Sequence, residues 1–497
     1  MNMSLLQVTD LSFSYEENYD PVFQNVSFRV DTDWRTGVVG RNGKGKTTFL
    51  KLLMGEMEYS GTITADAGFD YFPYPVAERL LDTIDAMYCV EPGLLLWKLK
   101  KDMAELGADE GILYRPFNTL SCGEQTKVML AVLFQREGNF LLIDEPTNHL
   151  DQESRTLVSA YLRRQKGFLM VSHDRAFLDG CIDHVLAFNR SDIEVQKGDF
   201  SSWYQNRQMQ DTFELAKNER LKKDIRRLSA AADRTKRWGD AVESTKIGRK
   251  SMENGQHAAS RDYIGEKSRR MQQRRKNLAR RQEQALQETK MLLKNQEDPD
   301  ILRMEPLPYH KEVLVSAEDL CLCYGNHEVL SGVNFAVRRG DRMSVQGKNG
   351  CGKSSLLKLI LGEHITYRGE LTVGSGIKIS YVSQDTSHLR GSLTEYIRAS
   401  GMEERLFKAV LRKLDFSRTQ FEKDMDSYSE GQKKKVLIAR SLCERAHLYI
   451  WDEPLNFIDV YSRMQIEELL LMWKPTLLFV EHDAVFTEKI ATSVCRI

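Results

Sequence analysis

The sequence predicts an α/β fold in which two similar domains are joined by a long α-helical hairpin. Two phosphate-binding motifs lie 307 residues apart, at residues 40–47 and 347–354. The motifs that follow them recur in the same order at offsets of 307 to 309 residues, which indicates a tandem duplication. The stretch between the two copies has helical spacing of its apolar residues. We therefore expect domains at residues 1–197 and 306–497, with a linker at residues 198–305.

Apolar runs with strand character alternate with helical runs in both halves, which is typical of an α/β sheet. In such sheets, ligands bind at the carboxyl ends of the strands, where the chain turns towards the next helix. The candidate strands are residues 141–143, 168–171, 448–451 and 477–480, and the candidate helices are residues 124–133 and 432–442.

Both phosphate-binding motifs fit the eight-residue P-loop pattern. Glycines allow backbone N–H groups to fold around phosphate oxygens, a lysine reaches the outer phosphates, and a hydroxyl ligates Mg²⁺. Each motif follows a short apolar stretch and precedes a leucine-rich run, which predicts a strand, a loop and a helix. The phosphate-binding candidates are Gly40, Asn42, Gly43, Gly45, Lys46, Thr47 and Thr48, and Gly347, Asn349, Gly350, Gly352, Lys353, Ser354 and Ser355.

A Ser-x-Gly sequence stands at the start of a later helical run in each half. Ser121 and Gly123 correspond to Ser429 and Gly431, and Gln432 follows the second pair. A serine and a glycine at a helix N-terminus offer a hydroxyl, backbone N–H groups and the helix dipole, which suit a γ-phosphate. A single such serine would be an ordinary helix cap, so the recurrence of the pattern carries the functional interpretation.

An apolar strand then ends in Asp-Glu-Pro in each half, and a later strand ends before a His-Asp pair. The first carboxylate can hold Mg²⁺, and the second is placed to polarise an attacking water. The histidine can contact a γ-phosphate. These candidates are Asp144, Glu145 and His173 in the first half, and Asp452, Glu453 and His482 in the second.

In this order, the motifs of both halves resemble those of the ATP-binding cassette (ABC) family. The family fold implies a head-to-tail sandwich of two nucleotide-binding domains, in which each half completes the site of the other. One ATP would be shared by Lys46, Asp144, Glu145 and His173 with Ser429 and Gly431, and the other by Lys353, Asp452, Glu453 and His482 with Ser121 and Gly123.

The same resemblance implies ATP and Mg²⁺ as ligands, and hydrolysis of ATP as the activity. Tyr15 and Tyr324 occupy the adenine-stacking position of the family, although each residue alone would fit a strand core. The implied Mg²⁺ ligands are Thr47, Asp144, Ser354, Gln384 and Asp452.

Three features depart from the family pattern. Cys122 and Glu430 replace a glycine of the signatures. The glutamine present in the second half as Gln384 is absent from the first half, where residues 71–75 read Tyr-Phe-Pro-Tyr-Pro. A neutral phenol at Tyr74 cannot ligate Mg²⁺ as an amide oxygen can. We therefore expect slower hydrolysis at the first site, with both sites competent because each keeps its candidate base.

The charges are balanced overall but unevenly distributed. The chain has 71 Lys or Arg and 71 Asp or Glu, yet residues 201–300 alone carry a net charge of +9. No apolar run is long enough to cross a membrane and the N-terminus lacks a signal-peptide pattern, so we expect a cytoplasmic protein without a membrane partner. The eight cysteines fit neither a zinc site nor a disulfide framework.

The linker pattern predicts two antiparallel helices, at about residues 203–238 and 261–295. Residues 221–281 contain 19 Lys or Arg and 7 Asp or Glu, so phosphate backbones are the expected partner and binding should weaken with salt. The alternative is a solvated, charge-rich hairpin. The loop at residues 239–260 forms the expected tip. Its candidate rRNA or tRNA contacts are Lys246, Arg249 and Lys250, and Trp238 either belongs to the tip or closes the hairpin.

Two cassettes on one chain, a helical linker and no membrane domain resemble the ABC-F proteins. Residues 451–459 and the loop at residues 72–75 resemble the Lsa-type and Vga-type resistance branch. In that branch, the ATP-bound protein enters the exit site of the bacterial ribosome and pushes the peptidyl-site tRNA aside. Lincosamides, streptogramins A and pleuromutilins are then dislodged from the peptidyl-transferase centre. The resemblance implies the same for this chain, acting as a monomer.

Other functions remain open from the sequence. A housekeeping ABC-F translation factor would share the chemistry and differ in its biological result. An ATPase subunit of a transporter would need a membrane partner and would leave the basic linker without a purpose. A DNA-organising ATPase usually has its coiled coil inside one cassette, whereas this linker lies between two, so we do not expect DNA as a partner.

Overall fold

The computed structural model describes residues 5–15, 21–136, 138–148, 150–189, 193–210, 304–325 and 327–497, with six single positions between 212 and 230. Met1–Trp203 and Ile301–Ile497 form one compact unit, and Tyr204–Asp300 form another. Residues 204–210 of the second unit are helical. Most of the predicted hairpin, its tip at residues 239–260, and the candidate RNA contacts Trp238, Lys246, Arg249 and Lys250 lie outside the described residues.

The N-terminal half alternates strands and helices along the chain. Two short 3₁₀ helices, Glu110–Tyr114 and Phe117–Thr119, precede the signature. The other elements are β1 (Leu5–Phe13), β2 (Phe23–Asp31), β3 (Arg35–Gly40), α1 (Lys46–Leu53), β4 (Ser60–Thr64), β5 (Gly68–Phe72), α2 (Thr83–Val90), α3 (Leu96–Glu105), α4 (Cys122–Leu133), β6 (Asn139–Asp144), α5 (Gln152–Arg164), β7 (Phe168–Val171), α6 (Arg175–Cys181), β8 (His184–Phe188) and β9 (Ile193–Lys197).

The C-terminal half repeats this order. Its 3₁₀ helices are Arg418–Glu422 and Met425–Ser427. The other elements are β10 (Val313–Tyr324), β11 (His327–Arg338), β12 (Arg342–Gln346), α7 (Lys353–Ile360), β13 (Thr366–Val373), β14 (Ile379–Val382), α8 (Leu393–Ala399), α9 (Glu404–Lys413), α10 (Glu430–Cys443), β15 (Leu448–Asp452), α11 (Val460–Trp473), β16 (Leu477–Val480), α12 (Ala484–Ile490) and β17 (Ser493–Arg496).

Each half contains one antiparallel sheet and one largely parallel sheet. The antiparallel sheets have the orders β2-β1-β4 and β11-β10-β13. The parallel sheets have the orders β5-β6-β7-β3-β8-β9 and β14-β15-β16-β12-β17, in which only β9 is antiparallel to its neighbour. The central parallel strands end side by side, so the motifs that follow them lie together at one edge.

The α/β prediction is confirmed, and the candidate strands and helices coincide with observed elements. The predicted strands lie in β6, β7, β15 and β16, and the predicted helices lie in α4 and α10. All four residues of β7 and all four of β16 are buried. Such continuous apolar runs are typical of parallel strands that are covered on both faces.

Packing beneath the first P-loop fixes the position of α1. Phe49 and Leu50 are fully buried among the side chains of both sheets. The ring centroid of Phe49 lies 5.7 Å from that of Phe188 on β8. Each such burial contributes about 1.5–3 kcal/mol, so the helix that begins at Lys46 is anchored by its apolar face.

Candidate functional site

Both P-loop lysines turn back towards the loop that carries them. Lys46 Nζ donates hydrogen bonds to the carbonyl oxygens of Gly40 at 2.9 Å and Arg41 at 3.1 Å. Lys353 Nζ does the same to Gly347 and Lys348, at 2.8 Å each. Burial lowers the pKa of Lys46, against the opposing charges of nearby carboxylates. A phosphate at this place would relieve the burial of an uncompensated ammonium group.

Glycines allow the loops to close around an anion. Gly45 has a φ of 85° and Gly352 a φ of 92°, in the left-handed region that glycine adopts without a steric cost. A side chain at Gly45 would also collide with Val22 and Phe23. These residues are the N-caps of α1 and α7, so unpaired backbone N–H groups of each helix face the loop.

The hydroxyl and aspartate candidates for metal binding lie together in both halves. Thr47 Oγ1 donates to Asp144 Oδ2 at 3.0 Å, and Ser354 forms the equivalent side-chain hydrogen bond to Asp452. Burial raises the pKa of both aspartates. Among the described residues, Oδ1 of each aspartate is buried without a hydrogen-bond partner.

This donor set fits Mg²⁺. The ion favours one or two carboxylates together with water and substrate phosphates, rather than a cage of protein ligands. No cluster of three or more His, Cys, Asp or Glu in the described ranges could hold a metal ion by itself. The unpaired oxygens of Asp144 and Asp452 would be completed by the cation.

The two candidate bases have similar geometry, but their pKa values are shifted in opposite directions. Glu145 Oε1 lies 3.3 Å from His173 Nε2, and Glu453 Oε1 lies 3.4 Å from His482 Nε2. Both glutamates have positive φ angles, 51° and 45°, which non-glycine residues adopt rarely and mostly at functional sites. Burial, reinforced by the charge of Asp144, raises the pKa of Glu145 to about 8.

At Glu453, burial also acts to raise the pKa, but hydrogen bonding and charge from His482 and the charge of Lys434 outweigh it. The pKa of Glu453 is therefore lowered. Gln384 Nε2 and Asn456 Nδ2 donate to Glu453 Oε2 at 2.9 and 2.7 Å, which stabilises the ionised form. The second site thus holds an ionised base where the first holds one that is protonated at neutral pH.

Tyr74, the counterpart of Gln384, lies away from the first site. Its hydroxyl donates to the carbonyl oxygen of Met129 on α4 at 3.0 Å, and its ring is buried. The hydroxyl that reaches the site belongs to Tyr71, which donates to Asp144 Oδ2 at 3.0 Å. The first site therefore differs from the second through Tyr71, which contacts Asp144, and not through Tyr74, which the sequence had indicated.

The signature serines cap their helices. Ser121 and Glu124 form a reciprocal capping box at the start of α4, and Ser429 and Gln432 form the same motif at α10. Gly431 follows Ser429 in the first turn, and a side chain there would collide with the carbonyl oxygen of Phe457 and approach Asn42 Nδ2. A glycine at this position therefore permits close contact with the other half.

The first P-loop contacts the C-terminal half directly. Asn42 Nδ2 donates to the carbonyl oxygen of Phe457 at 2.8 Å, and Arg41 pairs with Asp415 at 2.9 Å. The Arg41 guanidinium also lies over the ring of Tyr461, 5.6 Å from its centroid. The structure thus brings the signature Gly431 to the P-loop of the other half, as the head-to-tail arrangement requires.

The second P-loop faces a cavity. Its volume is about 440 Å³, and Gly347, Lys348 and Lys353 of the loop line one side. Asp151 and Glu153, at the start of α5, line the other side. The first composite site is closed by the contacts described above, and the second retains this cavity, across which Lys348 Nζ lies 4.0 Å from Glu153 Oε2.

The candidate adenine platforms lie beside the P-loop helices. Tyr15 Oη lies 2.8 Å from Thr48 Oγ1, and Tyr324 Oη donates to Ser355 Oγ at 3.1 Å. The two tyrosines are 39% and 51% exposed, so that a ring face is accessible to a stacking base.

A buried ion pair near the first site was not predicted from the sequence. Lys435 Nζ pairs with Asp459 Oδ2 at 2.8 Å, and the side chains are 4% and 0% exposed. Lys435 lies in the basic stretch after the second signature, which is the one signal that pointed to this region. Its partner Asp459 ends the segment 451–459 singled out above, but nothing in the sequence indicated that the two residues pair.

None of the helices within the described ranges combines the length and apolar character that a bilayer crossing needs. All eight cysteines lie in the described part of the chain and are free thiols.

Comparison with known proteins places these sites in context. The sequence model of the ABC transporter family matches residues 23–148 and 330–456, more than half of the chain. The matched stretches begin in β2 and β11, two strands before each P-loop, and end in the turn that follows Asp-Glu-Pro, so each covers the P-loop, the signature and the acidic pair.

Two curated relatives resemble the chain over nearly its whole length. The ribosome protection protein VmlR of Bacillus subtilis (strain 168) is 26% identical, over 98% of this chain and 86% of VmlR. The ATP-binding protein Uup of Caulobacter vibrioides is also 26% identical, over 95% of this chain and 74% of Uup. Among solved structures, the archaeal ribosome recycling factor aABCE1 superposes with a TM-score of 0.63 at 19% identity, covering 98% of this chain and 87% of that one. This likeness shows a shared tandem fold.

Proposed function

This chain belongs to the ABC transporter family, and we propose that it is a ribosome-binding ATPase whose two halves close on ATP and Mg²⁺ and reopen after hydrolysis. The observation that carries the proposal is the contact between Asn42 of the first P-loop and Phe457 of the other half. A P-loop that is completed by the opposite half binds nucleotide more tightly when the halves are together. ATP binding and the shape of the protein are therefore coupled.

The residues of each site supply complementary chemistry. The P-loop N–H groups and Lys46 or Lys353 would bind phosphate, while Thr47 with Asp144, or Ser354 with Asp452, would hold the cation. Glu145 and Glu453 would orient the attacking water and receive its proton. The N-terminus of α10 or α4 would approach the γ-phosphate from the opposite half.

The basic linker and the likeness to VmlR support the ribosome as the partner. Residues 221–281 carry a net charge of +12, which favours binding to a phosphate backbone. In the function that we propose, the ATP-bound protein enters the exit site of the bacterial ribosome in the cytoplasm, acting as a monomer. The linker contacts rRNA, displaces the peptidyl-site tRNA, and dislodges lincosamides, streptogramins A and pleuromutilins from the peptidyl-transferase centre.

A double substitution tests the coupling of ATP to ribosome binding. In Glu145→Gln with Glu453→Gln, both P-loops remain intact while hydrolysis is blocked, so the protein should accumulate on ribosomes when ATP is added. The matched control is Lys46→Ala with Lys353→Ala, which should remain in the supernatant after sedimentation of ribosomes. Equal sedimentation of the two variants would contradict the proposal.

A growth assay separates resistance from a housekeeping role. Expression in a drug-sensitive bacterium should permit growth on lincomycin and tiamulin, and the Lys46→Ala with Lys353→Ala variant should not. Ribosome binding without drug survival would favour a housekeeping translation factor. Co-purification with a membrane protein in the absence of rRNA would favour a transporter subunit.

A further inference from the structure

A buried ion pair joins the two halves beside the first site. Nη1 of Arg175, the first residue of α6, donates to Glu467 Oε2 on α11 at 3.2 Å, and its Nη2 pairs with Glu467 Oε1. The side chains are 5% and 4% exposed. Arg175 Nη2 also lies 3.5 Å from Asp483 Oδ2, and Lys489 Nζ lies 3.3 Å from Glu467 Oε2. The Arg175, Glu467 and Asp483 side chains of this charged network are buried within the interface, whereas that of Lys489 is half exposed.

This network is connected to the chemistry of the first site. Arg175 lies two residues after His173, whose Nε2 approaches Glu145 Oε1 at 3.3 Å. Asp174, between them, caps α6 by accepting the backbone N–H of Phe177 at 3.0 Å. A movement of α11 away from α6 would therefore pull on the segment that carries the histidine.

Within each half, an equivalent ion pair is present. Arg155 pairs with Asp174 at 2.8 Å in the first half, and Arg463 pairs with Asp483 at 3.0 Å in the second. The duplication therefore preserved the ion pair within each half, and the two halves can be aligned residue by residue in this region.

Among the described residues, the Arg175–Glu467 pair itself has no such counterpart. At the offsets of the duplication, Ala484 stands in place of Arg175 and Ser159 in place of Glu467. Ser159 and Ala484 both line a cavity of about 690 Å³, which His482 of the second site also borders. One side of the interface thus has a buried ion pair where the other has an open space.

We propose that Arg175 is a positioning residue that keeps the first site closed while the second site opens, so that the halves pivot about the Arg175–Glu467 pair. This inference rests on the ATP binding proposed above. Opening would separate the buried guanidinium of Arg175 from the carboxylates of Glu467 and Asp483 and leave it uncompensated until water enters, which opposes opening on that side. The side with Ser159 and Ala484 has no equivalent barrier, so nucleotide leaves the second site first.

Nucleotide release from single sites tests the inference. In the full chain carrying Glu145→Gln and Glu453→Gln, a further Lys353→Ala leaves only the first site able to load, and Lys46→Ala leaves only the second. Release of N-methylanthraniloyl-ATP after a chase with unlabelled ATP should be slower from the first site by about tenfold or more. Arg175→Gln should remove that difference by accelerating first-site release alone, while Arg175→Lys should retain most of it because the charge is kept.

A second variant is expected to slow nucleotide release, an effect that misfolding would not produce. Ser159→Glu with Ala484→Arg installs the missing pair in the cavity, and it should slow release from the second site. Equal release from both sites of the parent, or equal acceleration of both by Arg175→Gln, would overturn the inference. Because the assay contains no ribosomes, loss of ribosome binding would leave these outcomes unaffected. Absence of nucleotide binding to intact P-loops would instead refute the ATP binding beneath both proposals.

Discussion

Tyr71 donates a hydrogen bond of 3.0 Å to Asp144 Oδ2, the same carboxylate oxygen that accepts from Thr47. The hydroxyl of Tyr381, the counterpart of Tyr71 on β14, does not hydrogen-bond Asp452 in the described structure. Burial, together with the charge of Asp144, raises the pKa of Tyr71, so the phenol remains a neutral donor. The two candidate metal positions therefore differ in the groups that orient their carboxylates.

We expect Tyr71→Phe to weaken Mg²⁺ binding at the first site. Removal of a group that orients a metal ligand typically costs about tenfold to a hundredfold in metal affinity. In a Glu453→Gln background, the Mg²⁺ concentration for half-maximal ATP hydrolysis should rise by about tenfold. Tyr381→Phe in a Glu145→Gln background is the matched control and should leave that concentration unchanged. An equal effect of both substitutions would show that Tyr71 has no special role.

The two sites should differ in their dependence on pH. Glu145 has a pKa of about 8, so a water-activating base at the first site becomes ionised only as the pH approaches that value. In Glu453→Gln, the ATPase rate should therefore rise from about pH 6 to about pH 9. In Glu145→Gln, which relies on the ionised Glu453, no comparable rise should occur. The measurement is the steady-state rate of each variant at saturating ATP and Mg²⁺.

Glu145 should also destabilise the nucleotide-free fold at alkaline pH. Because its pKa is raised in the folded state, the folded protein retains a proton that the unfolded chain releases above a pKa of about 4.3. The associated stability is complete below that value and is lost as the pH rises through about 8. Glu145→Gln should therefore raise the melting temperature more at about pH 9 than at about pH 5. The corresponding difference in the free energy of unfolding is on the order of a few kcal/mol.

Glu453→Gln provides the control for this experiment. The pKa of Glu453 is lowered, so its contribution to stability is present above the unfolded pKa and is lost as the pH falls through the folded pKa. The substitution should lower the melting temperature at neutral and alkaline pH. A stabilising effect of both substitutions would contradict the electrostatic difference between the sites.

The groups expected to touch phosphate and metal could be identified from the sequence because their spacing is local. Lys46 and Thr47 follow glycines in one loop, and Asp144 ends an apolar strand. The direction of Tyr74 was not predictable in the same way, because it lies beyond the end of β5, where the pleat no longer determines which side a residue faces. Arg175 and Glu467 are 292 residues apart and neither belongs to a repeated motif, so only the folded interface reveals their contact.

We expect Lys435→Met to destabilise the fold by about 3–5 kcal/mol, because it leaves the buried carboxylate of Asp459 without its cation. Burial acts to raise the pKa of Asp459, but the charge and hydrogen bond of Lys435 outweigh it and hold the pKa well below the usual range. Its stabilising contribution should be present near neutral pH and lost in acid. Lys127→Met is the control, since the ammonium group of Lys127 donates to the carbonyl oxygen of Gly107 at 3.2 Å. Denaturant titration should show a clearly smaller loss for that variant.

Neutralising the proposed tip should weaken ribosome binding in a salt-dependent manner. Each phosphate contact that is lost lowers the slope of log affinity against log salt by somewhat less than about one. Changing Lys246, Arg249 and Lys250 together to Gln should therefore reduce this slope by about two to three for the Glu145→Gln with Glu453→Gln protein. The control replaces Lys101, Lys166 and Lys358, three exposed lysines of the two halves, and should leave the slope nearly unchanged. An equal decrease in both would indicate that net charge alone, rather than the linker, governs the interaction.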